Sequence, residues 1–440
     1  MSTERKTSSG PAILGRWHVP FFYGWVIVAV CYLGDFFASG LGQSTLSLFY
    51  KPIKDELGWS LSRLVGATTA ATIGGMFVSP FLGRAIDRFG VKPIMLWGTV
   101  VAGIGMILMM FVQEVWQYWA LWTCIAALGL AEFAGLASQS AVSNWFIQRR
   151  GRAIMVSTLG NTTGTIIGAP VVAFLITLLG WRPAFGVMGL AVMTVLIPLI
   201  IVFIRNKPED VGLKPDGDWQ PTGKGAARRL QATEETWTLR EALRTRTLWA
   251  LMGCFVFGGS TIALNGSILA PYLTQVHGMT AQQVGWVISL FWIPASVSRV
   301  IWGLLVDKLS PRVCLFTVGF TRACGPFCLA LLPFPFNLGL WMLFSGLLGN
   351  AYGILQPVMF GNFFGRKSFA TIAGGARPFM AIPGLLIPQV LARLYDVTGS
   401  FRSGFLLSGS IGMVGAVCSV FVAAPIKRTE AKAETPTSES

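Results

Sequence analysis

The sequence predicts an all-α membrane protein of twelve transmembrane helices, arranged as two parallel six-helix repeats. Three observations predict it. Of 440 residues, 53% are hydrophobic and only 12% are charged, about half the charged share of an ordinary soluble protein. Apolar stretches of about 20 residues, each long enough to cross roughly 30 Å of hydrocarbon, recur along nearly the whole chain. Features of the first half return in the second at a displacement of 220 residues, the sign of an internal repeat.

The apolar stretches lie near 22–48, 60–83, 92–112, 117–143, 153–179, 183–204, 247–275, 283–306, 312–332, 337–361, 369–394 and 401–424. Segments this long and continuous are helices, because a helix satisfies its own backbone groups in lipid. A barrel would instead show alternating segments of about 10 residues. Orientation follows from the basic residues. Of the 34 Lys and Arg, 25 fall on the side of the N-terminus, and six (Lys51, Lys54, Arg63, Arg182, Arg393 and Arg402) fall on the other. Arg299, Arg322 and Arg377 lie within spans. This asymmetry predicts that both termini are cytoplasmic. It also accounts for the net charge of +15 without a nucleic-acid partner, since the charges sit in short links rather than on one folded face. The expected location is the plasma membrane, or the inner membrane of a bacterium, with many passes. No cleavable signal is read in the first 20 residues, so span one is expected to act as the insertion signal. The seven cysteines all fall inside spans with no C-x-x-C pair and read as small packing residues.

The resulting plan has a cytoplasmic N-terminal tail at 1–21, a six-helix bundle at 22–205 and a cytoplasmic central loop at 206–246. A second six-helix bundle follows at 247–424, and a polar, disordered cytoplasmic tail at 425–440. Within the loop, Thr238 and Glu241 have capping-box spacing and predict a short surface helix. The repeat itself rests on several pairs. Gly83 and Asp87 return as Gly303 and Asp307, Gly58 and Ser60 as Gly278 and Thr280, and W-R-P-A-F from Trp181 as F-R-S-G-F from Phe401, all by 220. N-W-F from Asn144 returns as N-F-F from Asn362 by 218. Six spans per half make the repeat parallel, an architecture in which two bundles rock about a site at the midplane.

The run G-R-A-I-D-R-F-G-V-K-P from Gly83 resembles the G-x-x-x-D-R-x-G-R-R signature of the major facilitator superfamily. One basic position is shifted here to Lys92, after Val91. F-Y-G-W from Phe22, N-W-F-I-Q-R-R-G-R-A from Asn144, G-W-R from Gly180, R-N-K-P-E-D-V-G-L-K-P-D-G from Arg205 and N-F-F-G-R-K from Asn362 are similar to the monocarboxylate porter and oxalate–formate antiporter branch. The resemblance spans both halves. It implies a major facilitator fold and a secondary transporter working by alternating access, not an enzyme.

Arg299 lies about seven residues from the cytoplasmic end of span eight, roughly 10 Å deep. Such a charge costs about 2.5–3.5 kcal/mol on insertion scales. It predicts either a partner for packing or a clamp for a carboxylate, which guanidinium matches bidentately. The oxalate–formate antiporter is similar in carrying a cation eight residues before the repeated Asp, the spacing of Arg299 and Asp307. It is also similar in a second cation on span eleven, where Arg377 stands; the alternative is that Arg377 with Pro378 marks a helix break. Together they predict a substrate-binding pair, Arg299 and Arg377, for a small organic anion with one or two carboxylates.

Asp35 and Glu132 lie near the midplane, about eleven residues into span one and fifteen into span four. They are candidate proton carriers, or else neutralise a buried arginine. Glu132 and Gln139, seven apart, are expected on one helix face. The branch departs from this sequence in two places. Ala295 stands where animal monocarboxylate porters have an Asp, and Gln43 or Ser44 where they have a lysine. Proton coupling would therefore use Asp35 or Glu132. Gly83, Asp87, Arg88, Asp307 and Lys308 form an expected conformational latch, with Asp87 accepting from exposed helix N–H groups and Arg88 pairing across the seam. Arg322 reads as structural, and Gly160, Gly164 and Gly168 as a close-packing stripe.

No cofactor, metal or nucleic acid is expected; the partners are a small-molecule substrate, possible protons and the lipid bilayer, with the protein acting as a monomer. A rival reading keeps transport but assigns a larger neutral or aromatic solute such as a vitamin or drug. A lower-ranked one is a membrane sensor that transports nothing. No H-E-x-x-H, nucleotide loop or sizeable soluble domain supports the sensor or an enzyme.

Overall fold

A computed structural model describes residues 21–216 and 237–425. The tails expected at 1–21 and 425–440 and the middle of the central loop lie almost wholly outside the described residues. Among those described, the structure is all-helical. Span α1 is Gly24–Leu57, α2 Leu61–Phe89, α3 Val91–Phe111, α5 Arg150–Leu179 and α6 Trp181–Phe203. The second set comprises α8 Ala281–Leu305, then α9 Pro311–Leu331, α10 Phe336–Phe364, α11 Phe369–Thr398 and α12 Phe401–Phe421. Spans α4 (115–145) and α7 (246–275) complete the twelve as broken helices. The alternation of direction puts Phe21, the described ends of the central loop and Pro425 on one face, termed the near face. The opposite end is the far face.

Three of the predicted uninterrupted spans are therefore broken: α10 between Leu348 and Tyr352, and α4 and α7, where the physical reasons are local. In α4 the helix runs Val115–Thr123, widens to a π-helix at Cys124–Leu130, and ends at Phe133. Ala134 is extended, and Gly135 takes φ +64°, a conformation glycine adopts without strain. The helix restarts at Leu136. Glu132 and Gln139 consequently do not share the face that a seven-residue spacing implies in a continuous helix. In α7, breaks follow Gly258 and Ser267, and Pro271 falls in the first turn of the new segment Leu269–Gln275, where no N–H is required.

Interruption follows the repeat. The π-helix of α4 at Cys124–Leu130 recurs in α10 at Met342–Leu348, and α1 carries another at Ser39–Gln43. The first, fourth, seventh and tenth spans are thus all irregular, and such irregular backbone is tolerated in lipid only where protein or a cavity covers it. Span α1 also runs past its predicted end at 48, because residues 46–57 continue as a helix to Gly58 in the left-handed region (φ +67°). Lys51 and Lys54 ride on that helix rather than in a link.

Close packing places α5 against α1. A Cβ at Gly160, Gly164 or Gly168 would collide with the backbone carbonyl oxygens of Tyr32, Phe36 and Gly40 respectively. The stripe expected from sequence is a backbone-to-backbone contact. The two helix sets share one apolar core in the near half, where Trp302, Phe360 and Phe369 join residues of the first set such as Trp145 and Ile154. A second core, around Tyr272, Phe291, Trp341 and Phe405, belongs to the second set alone.

Candidate functional site

The two sets meet around a cavity of about 320 Å³ lined by Asp35, Ser39, Gln139, Thr158, Asn161, Arg299 and Arg377, among others. Three of the four charged residues singled out within spans as site candidates therefore face one space. The side chain of the fourth, Glu132, lies outside the described ones; its backbone sits in the short helix Ala131–Phe133, just before the break.

Each wall has a physical origin. Arg299 reaches across the seam from α8 and donates from Nη1 to Thr162 Oγ1 of α5 at 2.8 Å. Its guanidinium carbon stands 6.0 Å from the Trp292 ring centroid on its own helix. Among the described residues it forms no ion pair. Of the buried arginines that Asp35 could neutralise, Arg299 is not paired with it among the described residues. Asp35 instead accepts from Gly135 N–H and Ser138 Oγ, both at 3.3 Å. The α4 break creates that arrangement by turning the Gly135 N–H away from the helix ladder and toward α1. Arg377, with Gly135 within reach of its guanidinium, lines both this cavity and a second of about 560 Å³ between α2, α4, α10 and α11.

Arg322 lies elsewhere and is buried at 4% exposure. It donates to Thr261 Oγ1 at 2.7 Å and to Gly349 O and Asn350 Oδ1 at 3.1 Å. These bonds tie α7, α9 and the α10 break together within one set, a structural role.

The near face is sealed by two copies of one contact. Asp87, near the end of α2, accepts from Ala370 N–H (3.3 Å) and Thr371 N–H (2.7 Å) at the start of α11. Asp307, just past α8, accepts from Gly151 N–H (2.8 Å) and Arg152 N–H (3.2 Å) at the start of α5. Each carboxylate takes two exposed donors at a helix N-terminus, the place where the helix dipole favours negative charge. Gly83 permits the approach, since a Cβ there would strike the Ala370 carbonyl. The expected pairing of Arg88 across the seam is not found among the described residues: its guanidinium lies 5.3 Å from the ring of its neighbour Phe89. The cation that approaches across the seam is Arg152, 3.9 Å from Asp307. Among the described residues Lys308 makes a backbone bond to Leu305 and no ion pair.

Sequence reasoning missed two further parts of the seal. Arg150, counted as a link residue, is fully buried and donates to Phe146 O, Ser143 O and, across the seam, Asn362 Oδ1 at 2.8 Å. The matched asparagines Asn144 and Asn362 were the available signal. The first part of the expected cytoplasmic loop, residues 205–216, is folded onto the near face. Asp216 accepts from the Ile147 and Gln148 N–H groups at 2.8 Å, and Glu209 Oε1 bonds Arg366 Nη2 at 2.5 Å. Burial works against the Glu209 charge, but the Arg366 hydrogen bond and the Arg366 and Lys207 charges outweigh it and hold this carboxyl below its ordinary range. Its contribution is therefore present above the ordinary carboxylate range and is lost as pH falls through the lowered value. Glu209→Gln is expected to speed amide hydrogen exchange at Gly212 and Leu213 at neutral pH, as acid does in the unmutated chain. At the loop's other end, Thr238 and Glu241 form the predicted capping box on a helix at Leu239–Leu243.

Comparison with known proteins bears on this architecture. Residues 36–363 match the Major Facilitator Superfamily profile. The chain is 25% identical over 411 residues to monocarboxylate transporter 12-B of Danio rerio, covering 88% of this chain and 84% of that protein. It is 27% identical over 308 residues to the oxalate:formate antiporter of Oxalobacter formigenes, covering 69% and 66%. In fold it is similar to the proton:xylose symporter XylE, with TM-score 0.72 at 15% identity over 91% of this chain and 96% of that one.

Proposed function

This chain belongs to the Major Facilitator Superfamily, and on that premise we propose that it carries a small organic anion, a mono- or dicarboxylate, by alternating access. The observation that carries the reading is Arg299. It stands about 18 Å from the near end of α5, at its bond to Thr162, and lines the cavity between the helix sets with one N–H used in that bond. A guanidinium in that setting can pair a carboxylate bidentately, and the pairing bridges both sets through Thr162. The names of the relatives, a monocarboxylate transporter and an oxalate:formate antiporter, agree with an anion. In proteoliposomes, Arg299→Ala is expected to lower carboxylate uptake about 100-fold, since losing a charged hydrogen-bond partner costs about 3 kcal/mol. Arg299→Lys recovers little, lacking the planar fork. Uptake at the wild-type rate in both variants would refute the clamp.

The basic links that cover the near face support its assignment to the cytoplasm, and on that assignment the sealed near face corresponds to a state closed to the cytoplasm. Proton coupling is assigned to Asp35, which sits within the same cavity and accepts two long hydrogen bonds, from Gly135 N–H and Ser138 Oγ. Asp35→Asn is expected to abolish accumulation driven by a pH gradient while leaving substrate exchange intact. Gradient-driven uptake at the wild-type level in that variant would remove Asp35 from the mechanism.

A further inference from the structure

The anion-carrier reading concerns one end of the substrate, and the second cavity concerns the other. It holds about 560 Å³ and joins the first at Arg377 and Ala131, which line both. By itself it falls within the size range of sites for drug-sized ligands, roughly 300–1,000 Å³. A carboxylate of two or three carbons bound at Arg299 would leave it untouched. Its wall along α2 runs from Thr68 to Leu82, fourteen residues or about 21 Å at the helical rise. The facing walls are narrow by composition. Gly75 approaches Ala127 with van der Waals spacing even for an added Cβ, and Ala126 and Ala381 are equally small. Larger apolar surface comes from Met76 and Met380, with the nearly buried Trp122 presenting an edge. Thioether and indole groups are the partners that suit a flat apolar or aromatic group. The slot is closed toward the near face, where Ser79 Oγ donates to Gly374 O at 3.2 Å and Gly83 meets Ala370.

We infer that the preferred substrate is an amphipathic carboxylate whose aryl or branched apolar tail occupies this slot while its carboxylate meets Arg299. This rests on the anion-carrier reading and narrows it. Oxalate-sized anions use the polar end alone, so they are poor substrates. Met76, Trp122 and Thr72 set selectivity for the tail and leave the carboxylate contact unchanged.

The test compares binding of pyruvate, oxalate, 4-methyl-2-oxopentanoate and phenylpyruvate to the purified full chain, read by competition against one labelled carboxylate. Wild type is expected to bind phenylpyruvate about tenfold or more tightly than pyruvate, the value of burying an added ring. Thr72 is exposed in the slot, and its hydroxyl donates only within its own helix, to Thr68 O at 2.9 Å. Thr72→Trp therefore fills space without displacing a packed group. It is expected to erase the phenylpyruvate preference and leave pyruvate affinity within about twofold. Met76→Ala, which removes a wall, is expected to lower the preference without reaching pyruvate. Equal or tighter binding of pyruvate and oxalate by wild type would overturn the inference, as would equal weakening of short and long acids by Thr72→Trp. Arg299→Ala separates the two readings. If all four acids bind undiminished to it, the clamp is wrong; if all weaken together and the wild-type preference holds, both readings stand.

Discussion

Replacing Asp87 and Asp307 together by alanine is expected to open the near face. Each carboxylate holds two backbone N–H groups of the opposite helix set, at distances from 2.7 to 3.3 Å. A hydrogen bond to a charged group contributes about 1.5–3 kcal/mol net; counting one full contribution per carboxylate, because one bond of each pair is long at 3.2–3.3 Å, the pair biases the equilibrium by roughly 3–6 kcal/mol. That range corresponds to about 100-fold or more between the two side-open states. The single variants are expected to shift it by about half that free energy, because the contacts are separate and repeat-related. Spin labels at the exposed positions 84 and 367, one on each set at the near face, would report the change in a background without the seven native cysteines. The expected result is a longer distance in the double variant at rest; an unchanged distribution would show that the shared apolar core, with Arg150 and Asn362, seals the face without the carboxylates.

The second large effect concerns folding. Gly164→Ala is expected to destabilise the first helix set, because its Cβ would meet the Phe36 carbonyl, a backbone atom that no rotamer change can move. Overpacking of this kind costs about 1–3 kcal/mol, and a double variant with Gly168→Ala adds a clash at Gly40 on the same contact. Gly384→Ala is the control. Gly384 is helical with nothing within 4 Å of the added carbon, so the change is expected to stabilise by up to about 1 kcal/mol. Melting of the detergent-solubilised protein, followed by tryptophan fluorescence, checks all three. Equal melting temperatures for Gly164→Ala and Gly384→Ala would remove the stripe from any role in assembly.

The two effects act on different links of the chain from sequence to function. The glycine stripe packs α5 directly against α1, and the carboxylates join α5 and α2 to the second set. Rocking motion needs both: rigid bundles within which packing does not yield, and a seam held by a few bonds that can be exchanged. The bond from Arg299 to Thr162 also crosses the seam, at the cavity between the sets.

What the sequence by itself determined is periodic or additive. Hydropathy gave the spans, since each needs only about 20 apolar residues to cross. The sum of basic charges supplied an expected orientation. The 220-residue repeat anticipated that Asp87 and Asp307 would be equivalent, and the spacing of three glycines anticipated a close helix contact. Buried charge drew attention to Arg299, Arg377 and Asp35, and all three line one cavity.

What only the tertiary structure decided depends on backbone that leaves the helical period. The break at Ala134 and Gly135 sets which groups face Asp35, and undoes the common face expected for Glu132 and Gln139. No local propensity marks that glycine among the 51 in the chain; the bond its N–H makes is to Asp35, 100 residues away in sequence. The burial of Arg150 and the folding of Glu209 and Asp216 onto the near face likewise arise from contacts between segments 60 to 220 residues apart. A link residue and a seal residue look alike in sequence, because the same arginine is solvated in one setting and multiply bonded in the other. Packing between the sets makes that choice.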